Sequence, residues 1–204
     1  MTEYTKQPFW EIAGLPAPGT RMTAQEFLQY PEVNFHMELI DGVVFYPHLT
    51  EDEISRSPTP KHQCVVGNTF MILHSHVRQF GGEVFGVPVD LYLDERHIIQ
   101  ADVMWLSPDT DIVETEKQFR GAPDLAVEIL SPSTTRHDTV TKRALYEKHG
   151  TREYWIIDPV KFEITVYSAD SGAFTLTGTY SKTQTFTSPP LNITVAAADI
   201  FKGI

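Results

Sequence analysis

Glu128 occupies a position where a charged side chain is unexpected. It lies in the stretch DLAVEIL, which predicts a buried strand. Alternation along this strand predicts two faces, one of Asp124, Ala126, Glu128 and Leu130, the other of Leu125, Val127 and Ile129. A carboxylate among so many apolar residues is costly unless it is paired or binds a metal ion. Glu128 is therefore a candidate functional residue.

A second carboxylate, Asp102, stands in the middle of IIQADVMWL, which also predicts a core strand. Two acids on neighbouring strands repel each other unless a cation bridges them. Mg²⁺ and Mn²⁺ prefer oxygen ligands such as carboxylates, carbonyl groups and water. Asp102 and Glu128 thus form a candidate cation site, the alternative being that each accepts hydrogen bonds from nearby backbone or arginine.

A predicted helix follows the Glu128 strand directly. Asp138, Lys142 and Tyr146 are spaced i, i+4 and i+8, so they share one face of this helix. Opposite charges at this spacing are also common on solvated surfaces. Because the helix begins next to the Glu128 strand, however, it can pack back across the sheet and bring Lys142 to the carboxylates.

The elements that must position these residues alternate between helices and strands. A mixed sheet flanked by helices, an α/β fold, accounts best for this order. Between the elements we expect two loops, HLTEDEISRSPTP and DTDIVETEKQFRG. The predicted elements are a capped helix TAQEFLQY, a hairpin MELI-DG-VVFY, a helix over 61–80, strands over 83–93, 98–106 and 124–130, a helix over 135–149, and a meander of EYWIID, FEITVYS and TLTGTYS.

Composition narrows the class of protein. The 204 residues suit a single domain over 21–204, preceded by an arm over 1–20 rich in Pro and Gly. A net charge of −11 disfavours loose, salt-driven binding to phosphate backbones, although a local basic cleft remains compatible with it. The single cysteine excludes an intrachain disulfide and a cysteine-based zinc site. Without a leader or a membrane span in the sequence, we expect a soluble, cytoplasmic protein.

The motifs together resemble a known family. The order of these motifs is similar to that of the Uma-two (Uma2) family of putative restriction endonucleases. The motifs are, in chain order, MELIDGVV, PTPKH, the Asp102 strand, GAPDLAVEILSPST, a lysine with a tyrosine four residues later, and GTREYWIIDP. The resemblance covers about residues 20–200 and is most specific over 123–159. That family belongs to the PD-(D/E)XK superfamily, so the resemblance implies a restriction-endonuclease-like core with a mixed central sheet.

The resemblance also implies roles for residues. Asp102 and Glu128 would be the two motif acids and metal ligands, with the carbonyl of Ile129 as a third ligand for Mg²⁺ or Mn²⁺. Lys142 would replace the motif lysine from the adjacent helix. The implied catalytic residues are Asp102, Glu128 and Lys142, with Glu38, His62 and Tyr146 as accessory residues near the site.

Two positions depart from the superfamily pattern. Ala101 replaces the proline that usually precedes the first aspartate, and Leu130 stands where the superfamily has its lysine. The sequence thus predicts a metal-dependent nuclease acting on DNA, and a homodimer is expected because such nucleases face two strands. The alternatives are an inactive member that dimerises or binds a partner, and a hydrolase of another phosphate ester.

Overall fold

The computed structural model describes residues 8–31, 36–47, 58–86 and 89–204. The helices are α1 (Phe9–Ala13), α2 (Ala24–Phe27), α3 (Pro60–Phe80), α4 (Arg143–Lys148) and α5 (Ala197–Ile200), with a π-helical segment (His137–Lys142) directly before α4. The strands are β1 (Glu38–Ile40), β2 (Val43–Phe45), β3 (Glu83–Phe85), β4 (Asp90–Asp94), β5 (His97–Gln100), β6 (Val103–Leu106), β7 (Val113–Glu114), β8 (Gln118–Arg120), β9 (Leu125–Ile129), β10 (Glu153–Asp158), β11 (Glu163–Asp170), β12 (Ala173–Ser181), β13 (Thr185–Ser188) and β14 (Ile193–Ala196). None of the described helices is both long and apolar enough to cross a membrane.

Two six-stranded sheets form the body of the fold. The central sheet has the order β12-β11-β10-β9-β6-β3, and β9 pairs parallel with β10 but antiparallel with β6. The second sheet has the order β2-β1-β5-β4-β8-β7, in which only β4 and β8 are parallel. A separate hairpin joins β13 to β14. The mixed central sheet predicted from the sequence is therefore confirmed.

Short sequence signals set several element boundaries. Thr23 and Glu26 form the predicted capping box of α2. The Thr59 side chain accepts a hydrogen bond from the backbone N–H of His62 and begins α3. Asp41 and Gly42 both have positive φ, 53° and 71°, as a tight β1–β2 hairpin requires. The capped helix and the Asp-Gly hairpin are thus where the sequence predicted them.

The predicted bounds of two strands were wrong, because each predicted strand is two strands in the structure. The stretch 98–106 is two strands, β5 and β6, which belong to different sheets and are separated by a bend at Asp102. The stretch 83–93 likewise divides into β3 and β4, with residues 87–88 outside the described part. Both halves of each stretch are largely apolar, so the sequence pattern continues across the change of sheet.

Other predictions need smaller corrections. The helix predicted over 135–149 is π-helical in its first half. The predicted loop DTDIVETEKQFRG contains the short strands β7 and β8, and β13, β14 and α5 were not predicted. Most of HLTEDEISRSPTP, residues 48–57, lies outside the described residues, as do residues 1–7 of the predicted arm. The remainder of that arm includes α1, and Phe9 and Leu15 are buried in a core cluster with β1 and β2.

The central sheet buries both faces. Leu125, Val127 and Ile129 of β9 contact the core that includes residues of α3, α5 and β14. Ala126, on the opposite face, packs into a second core between the two sheets and α4. The predicted alternation along β9 is therefore confirmed. Glu128 shares the face of Ala126 and is directed at this second layer.

Candidate active site

Asp102 and Glu128 come from adjacent elements of the central sheet. Val103 of β6 pairs with Val127 of β9 in antiparallel register, so Asp102, one residue earlier, lies beside the Glu128 end of β9. The backbone N–H of Ile129 donates to Asp102 Oδ2 over 2.7 Å. The bend between β5 and β6 therefore fixes the first carboxylate against the strand that carries the second.

Glu128 is almost completely buried, with 3% of its surface exposed. Its Oε1 accepts hydrogen bonds from Lys142 Nζ over 3.1 Å and from the Tyr146 hydroxyl over 3.0 Å. Lys142 and Tyr146 thus do share one helical face, and that face is turned to the carboxylates rather than to solvent. Leu130, which the resemblance assigned to the position of the motif lysine, packs against the core between the sheets.

Lys142 is buried and surrounded by acceptors. Its Nζ donates to the Gln100 carbonyl over 2.6 Å and lies 3.0 Å from Glu38 Oε1. Asp138 Oδ1 is 3.9 Å away. Burial opposes the charge of the ammonium, but Glu128 and Glu38 outweigh it and raise the pKa of Lys142 above its usual value. The neighbouring carboxylates thus favour the charged form of Lys142.

The π-helical segment contains the charged residues Asp138 and Lys142. It runs from His137 to Lys142, and within it the Asp138 carbonyl accepts a hydrogen bond from the Tyr154 hydroxyl over 2.9 Å. Single π turns inside helices occur often at functional sites. Here the turn places both Asp138 and Lys142 in the buried layer.

Glu38 completes the buried group. Its carboxylate lies 2.7 Å from His137 Nε2 and 3.0 Å from His36 Nε2, and it accepts from the Gln100 backbone N–H over 3.1 Å. Burial raises the pKa of a carboxyl, but Lys142 and His137 outweigh it and hold the pKa of Glu38 well below its usual range. Glu38 is therefore ionised at neutral pH.

Negative charge is crowded in this layer. Burial raises the pKa of Glu128 well above its usual value, and Asp138, Asp102 and Glu38 add to the effect while Lys142 opposes it. Burial also raises the pKa of Asp138 despite the nearby Lys142. Four acidic side chains thus share one lysine, and a further cation would relieve their repulsion.

His62 reaches the site from the first turn of α3. Its Nε2 lies 3.3 Å from Asp102 Oδ2, and the ring is buried. Burial lowers the pKa of an imidazole, but hydrogen bonding and charge from Asp102 outweigh it and raise the pKa of His62. His62 and the Ile129 N–H together orient the Asp102 carboxylate.

The structure brings together the residues that the sequence singled out: Asp102, Glu128, Lys142, Glu38, His62, Tyr146 and the Ile129 backbone. Sequence reasoning missed His36, His137 and the Gln100 carbonyl, and it gave Asp138 no role beyond its helical spacing. The signal available for the histidines was their proximity in sequence to Glu38 and Asp138. Nothing in the sequence indicated that a backbone carbonyl would bind the lysine.

The donor set suits a hard divalent cation. Asp102 and Glu128 offer carboxylate oxygens, and the surrounding negative charge exceeds that of Lys142. In an extended strand the N–H and C=O of one residue point to the same side. Since the Ile129 N–H points to Asp102, its carbonyl oxygen also lies on that side. Such all-oxygen sites fit Mg²⁺ or Mn²⁺.

Comparison with solved structures supports the fold. A crystal structure titled as a putative nuclease belonging to DUF820, from Anabaena variabilis, is similar with a TM-score of 0.71 and 21% sequence identity. The similarity covers 88% of this chain and 97% of the other. The restriction-endonuclease-like core expected from the sequence is therefore confirmed.

Sequence comparison defines the family. A search of curated proteins found no significant match. The profile of the Uma2 family, described as putative restriction endonuclease, matches residues 24–198, which is most of the chain. The resemblance carried by the motifs is confirmed, and the chain belongs to the Uma2 family of putative restriction endonucleases.

Proposed function

We propose that this chain hydrolyses phosphodiester bonds in DNA, with Mg²⁺ or Mn²⁺ held by Asp102, Glu128 and the Ile129 carbonyl. The observation that carries the proposal is the position of Lys142. Its ammonium lies 3.1 Å from Glu128 Oε1 although the lysine comes from a helix and Leu130 occupies the usual strand position. A buried cation therefore contacts one of the two proposed metal ligands, which supports the exchange of the strand lysine for Lys142.

The bound cation would polarise the phosphate and lower the pKa of a water molecule. The protein's own residues have separate tasks. His62 and the Ile129 N–H orient Asp102, while Lys142 and Tyr146 orient one oxygen of Glu128. Such outer hydrogen bonds fix ligand geometry and raise metal affinity.

Lys142 also supplies positive charge to the reaction. The Lys142 ammonium donates a hydrogen bond to the Gln100 carbonyl and lies beside the carboxylates of Glu38 and Glu128. It is therefore held in place before substrate binds. A preorganised charge of this kind stabilises the negative transition state without reorganisation during the reaction. Glu38 in turn fixes Lys142, with His36 and His137 on its own oxygens.

Cleavage of supercoiled plasmid and of labelled duplex DNA tests the proposal, with Mn²⁺, Mg²⁺ or EDTA present. Activity should require the cation and be lost in Asp102→Asn and Glu128→Gln. The matched control is Glu153→Gln, which changes a buried glutamate on the neighbouring strand and should leave cleavage intact. Cleavage that survives both active-site substitutions would overturn the proposal. Hydrolysis of a small phosphodiester without DNA cleavage would assign another phosphate ester as substrate.

A further inference from the structure

A second group of metal-ligand side chains lies away from the carboxylate layer. Asp94 ends β4, His97 begins β5, and His149 follows α4 directly. The tight turn at Glu95 and Arg96 brings Asp94 and His97 together, and the end of α4 brings His149 to the same place. One ligand atom from each of the three lies within 4.8 Å of the other two.

The spacing of these atoms suits a small cation. Asp94 Oδ1 is 2.6 Å from His97 Nδ1, and Asp94 Oδ2 is 3.2 Å from His149 Nε2. Zinc bonds to oxygen and nitrogen are about 2.0–2.2 Å long, so tetrahedral ligands lie roughly 3.4 Å apart. The distance between Asp94 and His149 is close to this value, and the contact between Asp94 and His97 would lengthen when an ion enters.

His149 provides the observation that points to a ligand. Its Nε2 is buried and lies 3.2 Å from Asp94 Oδ2, but among the described residues it has no well-aligned hydrogen bond. A buried nitrogen left without a hydrogen bond destabilises the folded protein. The lone pair of a neutral imidazole is a metal ligand, and coordination would satisfy this nitrogen.

His97 has the support that metal-binding histidines usually have. Its side chain is 7% exposed, its Nδ1 faces Asp94, and its Nε2 lies 3.4 Å from Asp41 Oδ1 in the β1–β2 turn. A histidine that binds metal through one nitrogen typically donates its other N–H to a carboxylate. Asp41 is placed to accept that hydrogen bond.

We propose that Asp94, His97 and His149 form a binding site for Zn²⁺, or for Co²⁺ in its place, separate from the carboxylate site. Two imidazoles and one carboxylate favour these ions over Mg²⁺, for which oxygen ligands are preferred. Lys148 Nζ lies 3.0 Å from Asp94 Oδ2, but its side chain is 59% exposed and can move into solvent. The proposal does not depend on the nuclease activity.

The bound ion would join elements that also position Lys142. β5 runs from His97 to Gln100, whose carbonyl accepts from Lys142. The π-helical segment that carries Lys142 continues into α4, which ends at Lys148, directly before His149. An ion at the far end of both elements would tether them together. Because such an ion binds the folded state, it stabilises the protein against unfolding.

Calorimetric titration of the metal-free chain with Zn²⁺, visible spectroscopy with Co²⁺ and thermal unfolding test the site. We expect a Zn²⁺-dependent rise in the unfolding temperature and Co²⁺ bands typical of nitrogen and oxygen ligands in tetrahedral geometry. His149→Ala and His97→Ala should weaken Zn²⁺ binding by at least about tenfold. The control His74→Ala alters a half-buried histidine stacked on Phe70 and should bind like the unchanged protein.

Two results would overturn the proposal. One is the absence of Zn²⁺ binding by the unchanged chain, which needs no variant to be folded. The other is equal affinity in His149→Ala, His149→Gln and the His74→Ala control. Glu128→Gln provides the remaining comparison, because Zn²⁺ binding that is lost in this variant but kept in His149→Ala would assign the ion to the carboxylate site.

Discussion

Glu128 and Glu153 are both buried in neighbouring parallel strands of the central sheet, but their surroundings differ in kind. Glu128 contacts Lys142 and Tyr146 and lies among other carboxylates. Glu153 accepts hydrogen bonds from neutral donors, the Ser188 and Ser168 hydroxyls and the Trp155 indole. The first is part of a charged group, whereas the second is held by neutral hydrogen-bond donors.

The comparison shows what burial does and does not indicate. Burial raises the pKa of both glutamates, so a buried acid in an apolar strand is by itself no sign of a function. The three hydrogen-bond donors satisfy the buried carboxylate of Glu153, so its burial has a structural explanation. Glu128 differs from Glu153 because a second carboxylate, a buried lysine and an excess of negative charge surround it.

The largest effect should come from removing the lysine. Lys142→Met leaves Glu128 and Glu38 buried without their cation, and loss of a partner from such a group costs about 3–5 kcal/mol of unfolding free energy. Chemical denaturation measures the change. Lys148→Met is the control, since its exposed ion pair with Asp94 is worth about 0–1 kcal/mol. Similar small losses in both variants would show that the carboxylates do not depend on Lys142.

A second test compares the two glutamates in catalysis. Glu128→Gln should reduce the rate of Mn²⁺-dependent DNA cleavage by about 100-fold or more, equivalent to roughly 2.7 kcal/mol of activation free energy. Glu153→Gln should keep the rate, because the hydrogen bonds to the Glu153 side chain from the described residues come from neutral donors. Equal rates in the two variants would remove the distinction between the glutamates.

A third test removes the neutral hydrogen bonds. Glu153→Ala leaves the buried Ser188 hydroxyl and Trp155 indole without their acceptor, which should cost about 1–3 kcal/mol of unfolding free energy. The control Glu114→Ala alters an exposed glutamate of β7 and should change stability little. A Glu153→Ala variant as stable as its control would mean that these donors do not stabilise the fold.

The smallest effect concerns pH. Burial raises the pKa of Glu153 above its usual 4.5, with Ser188, Trp155 and Ser168 partly opposing this. A raised folded-state pKa contributes stability at acid pH that is lost as pH rises through that pKa, by about 1.4 kcal/mol for each pH unit between the folded and unfolded values. Glu153→Gln should lack this loss, so its stability relative to the unchanged chain should increase from pH 4.5 upward. A pH-independent difference would contradict the assignment.

The sequence predicted the strand β9 and its two faces because these depend on local alternation, and it predicted the mixed sheet from the order of helices and strands. It did not predict that Asp102 lies in a bend, since the apolar pattern continues from β5 into β6 across a change of sheet. The spacing of Asp138, Lys142 and Tyr146 indicated one helical face but not its π-helical turn. The grouping of Asp94, His97 and His149 depends on tertiary contacts, which a single sequence does not report.

The most direct test of the carboxylate site is Mn²⁺ binding measured by electron paramagnetic resonance. The chain should carry His97→Ala and His149→Ala so that the second site cannot contribute. We expect this protein to bind Mn²⁺, Asp102→Asn and Glu128→Gln to weaken binding by about tenfold or more, and Glu153→Gln to leave it unchanged. Absence of binding, or equal affinity in all of these proteins, would contradict the account.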